Sequence, residues 1–374
     1  MKAQRFRFSL LVLATIPSLF CNAQHYRAYT DYMDKFWVFE KGKSTKIEDL
    51  RPQAYMVGGE GVLYINSAGK LMLYADGQLS QLELGGVNLQ DLHATDHLIV
   101  YNIFEKLKTV QNGEVIELSS RCPIYRVQDS LVAFYDKNKE SLRVFYHGQV
   151  QDIESGMIGV PVEKFAAGDN IVAYVSSRTK DFKVWYQGEV TTLIKNVADI
   201  KFKAGKDVVA YIDPLDQVFK AFYKGEIYTL SDFNPQSFNM GDGFVAFVDQ
   251  MGEFKYFSNG EVTTISTIPP DGYLCEDYSL AYVQNGRFMI WHNMQALEME
   301  AWVPSVYKID WNTIAYLDNS QRIWIIQNGE KKFFSNELVN SFDIYRDLIE
   351  MNVKVDRNII YYTGEFYEGE SFYR

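Results

Sequence analysis

Three observations predict an all-β fold, a β-propeller of about ten short four-stranded units in a single ring. A unit of about 36 residues recurs ten times along the chain. A period in this range marks a repeat architecture. Each unit carries an x-Gly turn, and the turns place Gly42, Gly77, Gly113, Gly148, Gly188, Gly225, Gly260, Met294, Gly329 and Gly364 in register. Two apolar columns run through the strand before that turn, on opposite faces, so each small sheet needs cover on both sides. A propeller supplies that cover, because every blade lies between two others.

Each unit reads as strands a, b, c and d. In the clearest copy, Phe165-Ala-Ala-Gly-Asp-Asn-Ile-Val-Ala-Tyr174 gives a and b, and Phe182-Lys-Val-Trp-Tyr-Gln-Gly-Glu-Val-Thr-Thr-Leu193 gives c and d. Gly-Asp-Asn, Gly-Lys-Asp or Gly-Asp-Gly turns a into b. Asn-Gly, Asp-Gly or a similar pair turns c into d, the strongest short-range hairpin signal. Three residues before the c–d turn glycine stand Phe39, Tyr74, Val110, Phe145, Trp185, Phe222, Phe257, Trp291, Ile326 and Tyr361. Six before it stand Phe36, Leu71, Leu107, Leu142, Phe182, Phe219, Phe254, Phe288 and Ile323, and only Asn358 breaks the column. Unit length, measured along strand b from Ala28 to Glu350, stays between 33 and 40 residues. No Pro-rich or Gly/Ser-rich linker interrupts the series, so one domain over 24–374 is expected. Ten blades exceed the usual range of roughly four to eight. Two five-bladed rings or an open stack of sheets are the rival arrangements.

The start of the chain reads as a secretory signal over 1–23. Lys2, Arg5 and Arg7 precede an apolar run from Ser9 to Phe20 that is too short to span a bilayer stably. Cys21-Asn22-Ala23 suits a cut after Ala23. Lipidation of Cys21 is the alternative, but Phe20 stands where a lipobox wants Gly, Ala or Ser. No later stretch is apolar enough for a membrane span, so a periplasmic or secreted protein is expected. The net charge of −11 falls to −14 without the three basic signal residues. A chain this acidic repels phosphate backbones, which argues against nucleic-acid binding. Beyond the signal only Cys122 and Cys275 remain, too few for a disulfide-built scaffold. The distance between their units predicts that they are not bonded to each other.

The pattern Φ-x-x-Gly-Asp-x-Φ-Φ-Ala-Tyr, followed by Φ-x-Φ-Φ, a Gly turn and a Thr-Leu strand, resembles the WD40-like propeller repeats of the TolB and dipeptidyl-peptidase families. Ala167-Gly168-Asp169-Asn170 and Met240-Gly241-Asp242-Gly243 stand where those families often carry Ser-Pro-Asp-Gly. The Ser-Pro is missing everywhere, and there is no room for a hydrolase domain. The resemblance implies the fold and carries over no catalytic residue.

Candidate chemistry is sparse. His93 and His97 have the spacing of helix-borne zinc ligands but fall on strand a and its turn, where that spacing separates side chains. Gly58-Gly59-Glu60-Gly61 aligns with an a–b turn and opens no helix, so it is not a phosphate loop. Asp31, Asn66, Asp136, Ser176, Asp213, Asp249 and Asp318 recur two residues after the Tyr column. Either they bond the backbone of the b–c turn or they form a calcium-binding ring. The aromatic columns are core, which leaves off-register aromatics such as Trp302 and Trp311 for binding.

No catalytic, cofactor or metal residue is assigned, and the binding residues are not identified. The expected function is a non-catalytic scaffold, a monomer binding another envelope or secreted protein. The alternatives are a glycan-binding module or a polysaccharide-processing enzyme. A pair of channel carboxylates with raised pKa would favour the enzyme. Finally, the first unit begins at strand b, His25 to Thr30, without a strand a. The tail Ser371-Phe372-Tyr373-Arg374 resembles the start of other a strands and is expected to fill the gap.

Overall fold

The structure, a computed structural model, describes residues 26–157, 164–197, 199–346, 348–353, 357–362 and 364–368. The expected signal region, 1–23, and the expected strand in the C-terminal tail lie outside these residues. Ten antiparallel sheets follow one another along the chain. Among the described residues nine have four strands in the order a-b-c-d, and the first has three. The described residues contain no α-helix, and Leu89–Asp91 form a single 3-10 turn.

The c–d turns are built as the sequence demands. Both central residues of such a turn need positive φ. Gln187 and Gly188 have φ of 47° and 103°, and at the one non-glycine position Asn293 and Met294 have 48° and 61°. In eight blades strand d bulges opposite the start of strand c, which adds to the local twist.

The two apolar columns pack in opposite directions around the ring. Trp185, three before its glycine, joins the core formed with Leu131, Tyr135 and Val144 of the preceding blade. Phe182, six before it, joins Val209, Tyr211 and Phe222 of the following blade. The second contact is a repeated staple. A strand-c aromatic meets the strand-b aromatic of the next blade: Phe36 with Tyr64 at 5.2 Å, Phe182 with Tyr211 at 5.3 Å and Phe219 with Phe247 at 5.2 Å. Each ring buries a large apolar area, the first two pairs being tilted and the third edge-on.

A polar staple lies beside the aromatic one. Tyr64, Tyr101, Tyr174 and Tyr316 donate their hydroxyls to Glu48, Glu83, Glu154 and Glu300 at the end of the preceding blade. Lys108, Lys183 and Lys331 then pair with the last three of these glutamates. A buried Tyr hydroxyl needs such a partner.

The ring closes. Phe39 of the first blade packs with Leu348 and Ile360 of the tenth, and its ring lies 5.1 Å from that of Tyr367. Asn358, the break in the aromatic column, sits at this seam, where its amide donates to the Thr30 carbonyl at 3.5 Å. Cys122 and Cys275 are free, and they belong to separate cores.

Candidate functional site

The strand alternation puts the a–b and c–d turns at one end of the ring and the b–c turns at the other. The recurring polar residues at the b–c end serve their own turns. Asp249 Oδ1 accepts the Met251 and Glu253 amides, each at 2.9 Å, and Lys255 pairs with its other oxygen at 2.7 Å. Asp31 accepts the Met33 and Lys35 amides, and Asn66, Asp136, Asp213 and Asp318 repeat the scheme. Ser176 accepts the Thr179 amide in the same way. The turn-bonding reading therefore holds at these positions. Although burial opposes it, the Lys255 and turn hydrogen bonds hold the Asp249 carboxyl below the ordinary range. Asp318 is likewise lowered against burial, by turn amides and the Trp324 indole.

The a–b end is different. Eight blades bring their a–b turns, and the second blade Val57 of its strand a, to one opening of about 550 Å³ at the axis of the ring. Its lining includes seven acidic residues, and among the described residues Lys206 and Arg346 are its only Lys and Arg. Each of those cations is already engaged. Lys206 pairs with Asp242 at 3.3 Å, and Arg346 pairs with Asp96. The Tyr345 hydroxyl reaches the same Asp96 at 2.6 Å, tying the tenth blade to the third.

These carboxylates also stitch neighbouring blades. Asp129 accepts the Asp96 amide at 3.3 Å, Asp169 the Ser130 amide at 2.9 Å and Asp277 the Trp311 amide at 2.5 Å. Asp310 accepts the Arg346 amide. A single amide does not offset burial among like charges. Burial, then the neighbouring Asp96 and Asp169, pushes Asp129 up to about 7. Burial, then Asp277, pushes Asp310 up to about 7. Burial raises Asp242 to about 6 even with Lys206 beside it, and Asp277 is raised as well. Raised channel carboxylates, the sign that favours an enzyme, are thus present.

Trp311 stands at the rim, 44% exposed, with a left-handed φ of 54°. That conformation is strained for a bulky residue. Arg346 lies over its ring at 5.6 Å, and Tyr278 meets it edge-on. Trp302, the other off-register aromatic, packs against the core beside Tyr316 and is not presented for binding. Tyr278 also lines a second cavity of about 370 Å³, a groove between the eighth and ninth blades with Tyr256, Trp291, His292 and Met294. Of the two histidines, His97 reaches the opening while His93 turns to Tyr125, where burial lowers its pKa. They do not converge. Among the described residues no group of three or more His, Cys, Asp and Glu is placed to hold a metal ion. Gly59 and Glu60 form an a–b turn as expected.

Residues 20–367 match the 10-bladed beta propeller domain family, and the chain belongs to that family. No curated protein matches the sequence. Among solved structures it is similar to apo AztD from Citrobacter koseri, with 11% identity, a TM-score of 0.37 and coverage of 83% of this chain and 94% of that one. The computationally designed Ika8 protein gives 14% identity, a TM-score of 0.35 and coverage of 83% and 96%. The CRINKLY WD40 ectodomain of the Arabidopsis thaliana receptor kinase ACR4 gives 11% identity, a TM-score of 0.35 and coverage of 67% and 96%. Likenesses this distant carry no functional argument.

Proposed function

We propose that this protein is an exported, non-catalytic, monomeric propeller that binds a partner protein at the a–b end, with a basic segment of the partner entering the acidic opening. One observation carries the reading. Seven acidic residues converge where the only Lys and Arg among the described residues are already paired. A low-dielectric opening lined by one sign of charge focuses its field on ligands of the other sign. The aromatic groove that shares Tyr278 with the opening offers an apolar surface to the flanking part of such a segment. Among the described residues no helix is long and apolar enough to cross a membrane.

The second reading is an enzyme acting on polysaccharide. Asp129 and Asp310, both near 7, favour it. It ranks second because each carboxylate already holds a backbone amide of an adjoining blade, a structural task that accounts for its place. Two assays separate the readings. Calorimetry with oligoarginine at pH 8 should show binding that weakens as salt rises. Incubation with neutral and uronic-acid polysaccharides should release no new ends. Absence of peptide binding, together with polysaccharide cleavage that disappears in Asp129→Asn, would replace the first reading with the second.

A further inference from the structure

The repeat makes the blades alike, and departures from it gather at one place. Nine c–d turns carry glycine, and the other carries Met294 at a φ of 61°. A residue with a Cβ is disfavoured in that conformation. Among the described residues, the a–b turns of only the eighth and ninth blades carry Phe, Tyr or Trp. These are Tyr278 and Trp311, both about half-exposed. Met294 and Tyr278 line the groove of about 370 Å³ between the eighth and ninth blades. A locally unfavourable choice that the repeat avoids elsewhere points to a task at that place.

The groove is neutral in an acidic molecule. Among its described lining residues there is no Asp, Glu, Lys or Arg. Three rings, Tyr256, Tyr278 and Trp291, stand there with three side-chain amides, Asn293, Asn312 and Asn328. The Tyr256 and Trp291 rings lie 5.9 Å apart. His292 crosses to the ninth blade, where a Cβ added at Gly329 would lie 2.7 Å from its ring. Its Nε2 accepts from the Asn293 amide at 2.9 Å. Trp291 also differs from Trp185, which holds the same place in the fifth blade. Trp185 is fully buried, and its indole donates to Gln151 of the fourth blade at 3.1 Å. The seventh blade has Thr263 at the place of Gln151, and the Trp291 indole nitrogen has no acceptor among the described residues. A second groove at the same end, about 390 Å³ between the third and fourth blades, has Glu60 in its wall, and its Phe145 is buried. The uncharged aromatic lining thus belongs to the eighth and ninth blades and not to the repeat as such.

We propose that this groove binds a neutral sugar residue of a glycan. A pyranose has faces of C–H groups that pack on aromatic rings, and hydroxyls that donate and accept at once, as side-chain amides do. The volume falls within the range of small-molecule sites. A cationic group or a uronic acid would be desolvated there without a counter-charge. A wholly apolar group would leave the amides and the indole N–H unsatisfied. The groove shares only Tyr278 with the lining of the acidic opening, so a sugar and a basic segment are separable ligands.

The protein is titrated with neutral tetrasaccharides of glucose, galactose and mannose, followed by tryptophan fluorescence and saturation-transfer NMR. At least one should bind, and salt should not weaken it, in contrast to oligoarginine. A tetrasaccharide of glucuronate should bind at least about tenfold more weakly. Tyr278→Ala should weaken sugar binding about tenfold, and Trp291→Phe, which keeps the packing and removes the N–H, about threefold. Met294→Gly restores the glycine of the other turns, so it should raise the melting temperature. It should nonetheless weaken sugar binding about threefold and leave oligoarginine binding unchanged. His147→Ala, in the opposite groove, should leave sugar binding unchanged. Failure of all three neutral sugars to bind would overturn the proposal, as would binding that Tyr278→Ala, Trp291→Phe and Met294→Gly all leave intact. Binding of an Arg-Trp peptide that is lost in Tyr278→Ala, with no sugar bound, would assign the groove to the partner's segment instead.

Discussion

The two ends of the ring use the same residue for opposite ends. At the b–c end, Asp249 sits in a turn that supplies two amides and a lysine, and its carboxyl is held low. At the a–b end, Asp129 has one neighbouring amide and feels burial and three carboxylates, and it is pushed up to about 7. Both are aspartates at turns in the same repeat. The difference lies in where the turn points. The b–c turns are spread around the ring, and each satisfies itself. The a–b turns meet at the axis, where Asp129, Asp277 and Asp310 are crowded by carboxylates of other blades. A repeat thus turns one local residue into a concentrated charge at one end only.

The largest effect should come from backbone contact at the axis. A Cβ added at Gly168 would lie 2.0 Å from the Gly205 carbonyl oxygen. Gly168→Ala should destabilise by about 3 kcal/mol, because neither backbone can yield without moving its blade. A loss below about 1 kcal/mol in chemical denaturation would show that the inner turns are not close-packed.

Next is the b–c end. Asp249→Ala removes two turn hydrogen bonds and the partner of Lys255. A buried, charge-assisted set of this kind is worth about 2 kcal/mol, and the loss should appear at neutral pH. If the variant were as stable as the parent, the self-satisfied character of this end would be refuted.

At the a–b end the sign reverses. Asp129 has a folded-state pKa of about 7, above its ordinary value of 3.8. The folded state therefore holds a proton that the unfolded state has lost, and the stability linked to this proton is present below about pH 4 and lost as pH rises to 7. Asp129→Asn keeps the acceptor for the Asp96 amide and removes the charge. It should add about 2 kcal/mol at pH 8 and nothing near pH 4. Destabilisation at pH 8 would contradict the crowding of charge at the axis.

The sequence shows the fold clearly because each blade repeats the same local rules. The c–d glycines all require positive φ, and the columns led by Phe182 and Trp185 bury opposite faces. The site is legible only in part. Asp169 and Asp242 are visible as turn residues, but nothing in a single unit shows that its turn will meet seven others. Lys206 and Asp242 lie 36 residues apart, and Arg346 and Asp96 lie 250 apart. The first pair meets when one blade stacks on the next, and the second only when the ring closes. The Tyr–Glu staples were also hidden, since Glu48, Glu83, Glu154 and Glu300 read as ordinary polar strand ends. Their constant place at the end of strand d was the available signal. Trp302 and Trp311 look equivalent as off-register aromatics, yet one packs against the core and one stands at the rim.

The account's central claim is that charge crowded at the a–b end makes it the cation-binding face. Oligoarginine affinity, measured by calorimetry at pH 8 and low salt, tests it when each end is neutralised in turn. Asp169→Asn with Asp277→Asn should weaken binding by roughly tenfold or more, whereas Asp213→Asn with Asp249→Asn, removing equal charge at the other end, should change it by less than about twofold. Equal losses in the two double variants would mean that only net charge attracts the peptide, and would contradict the claim.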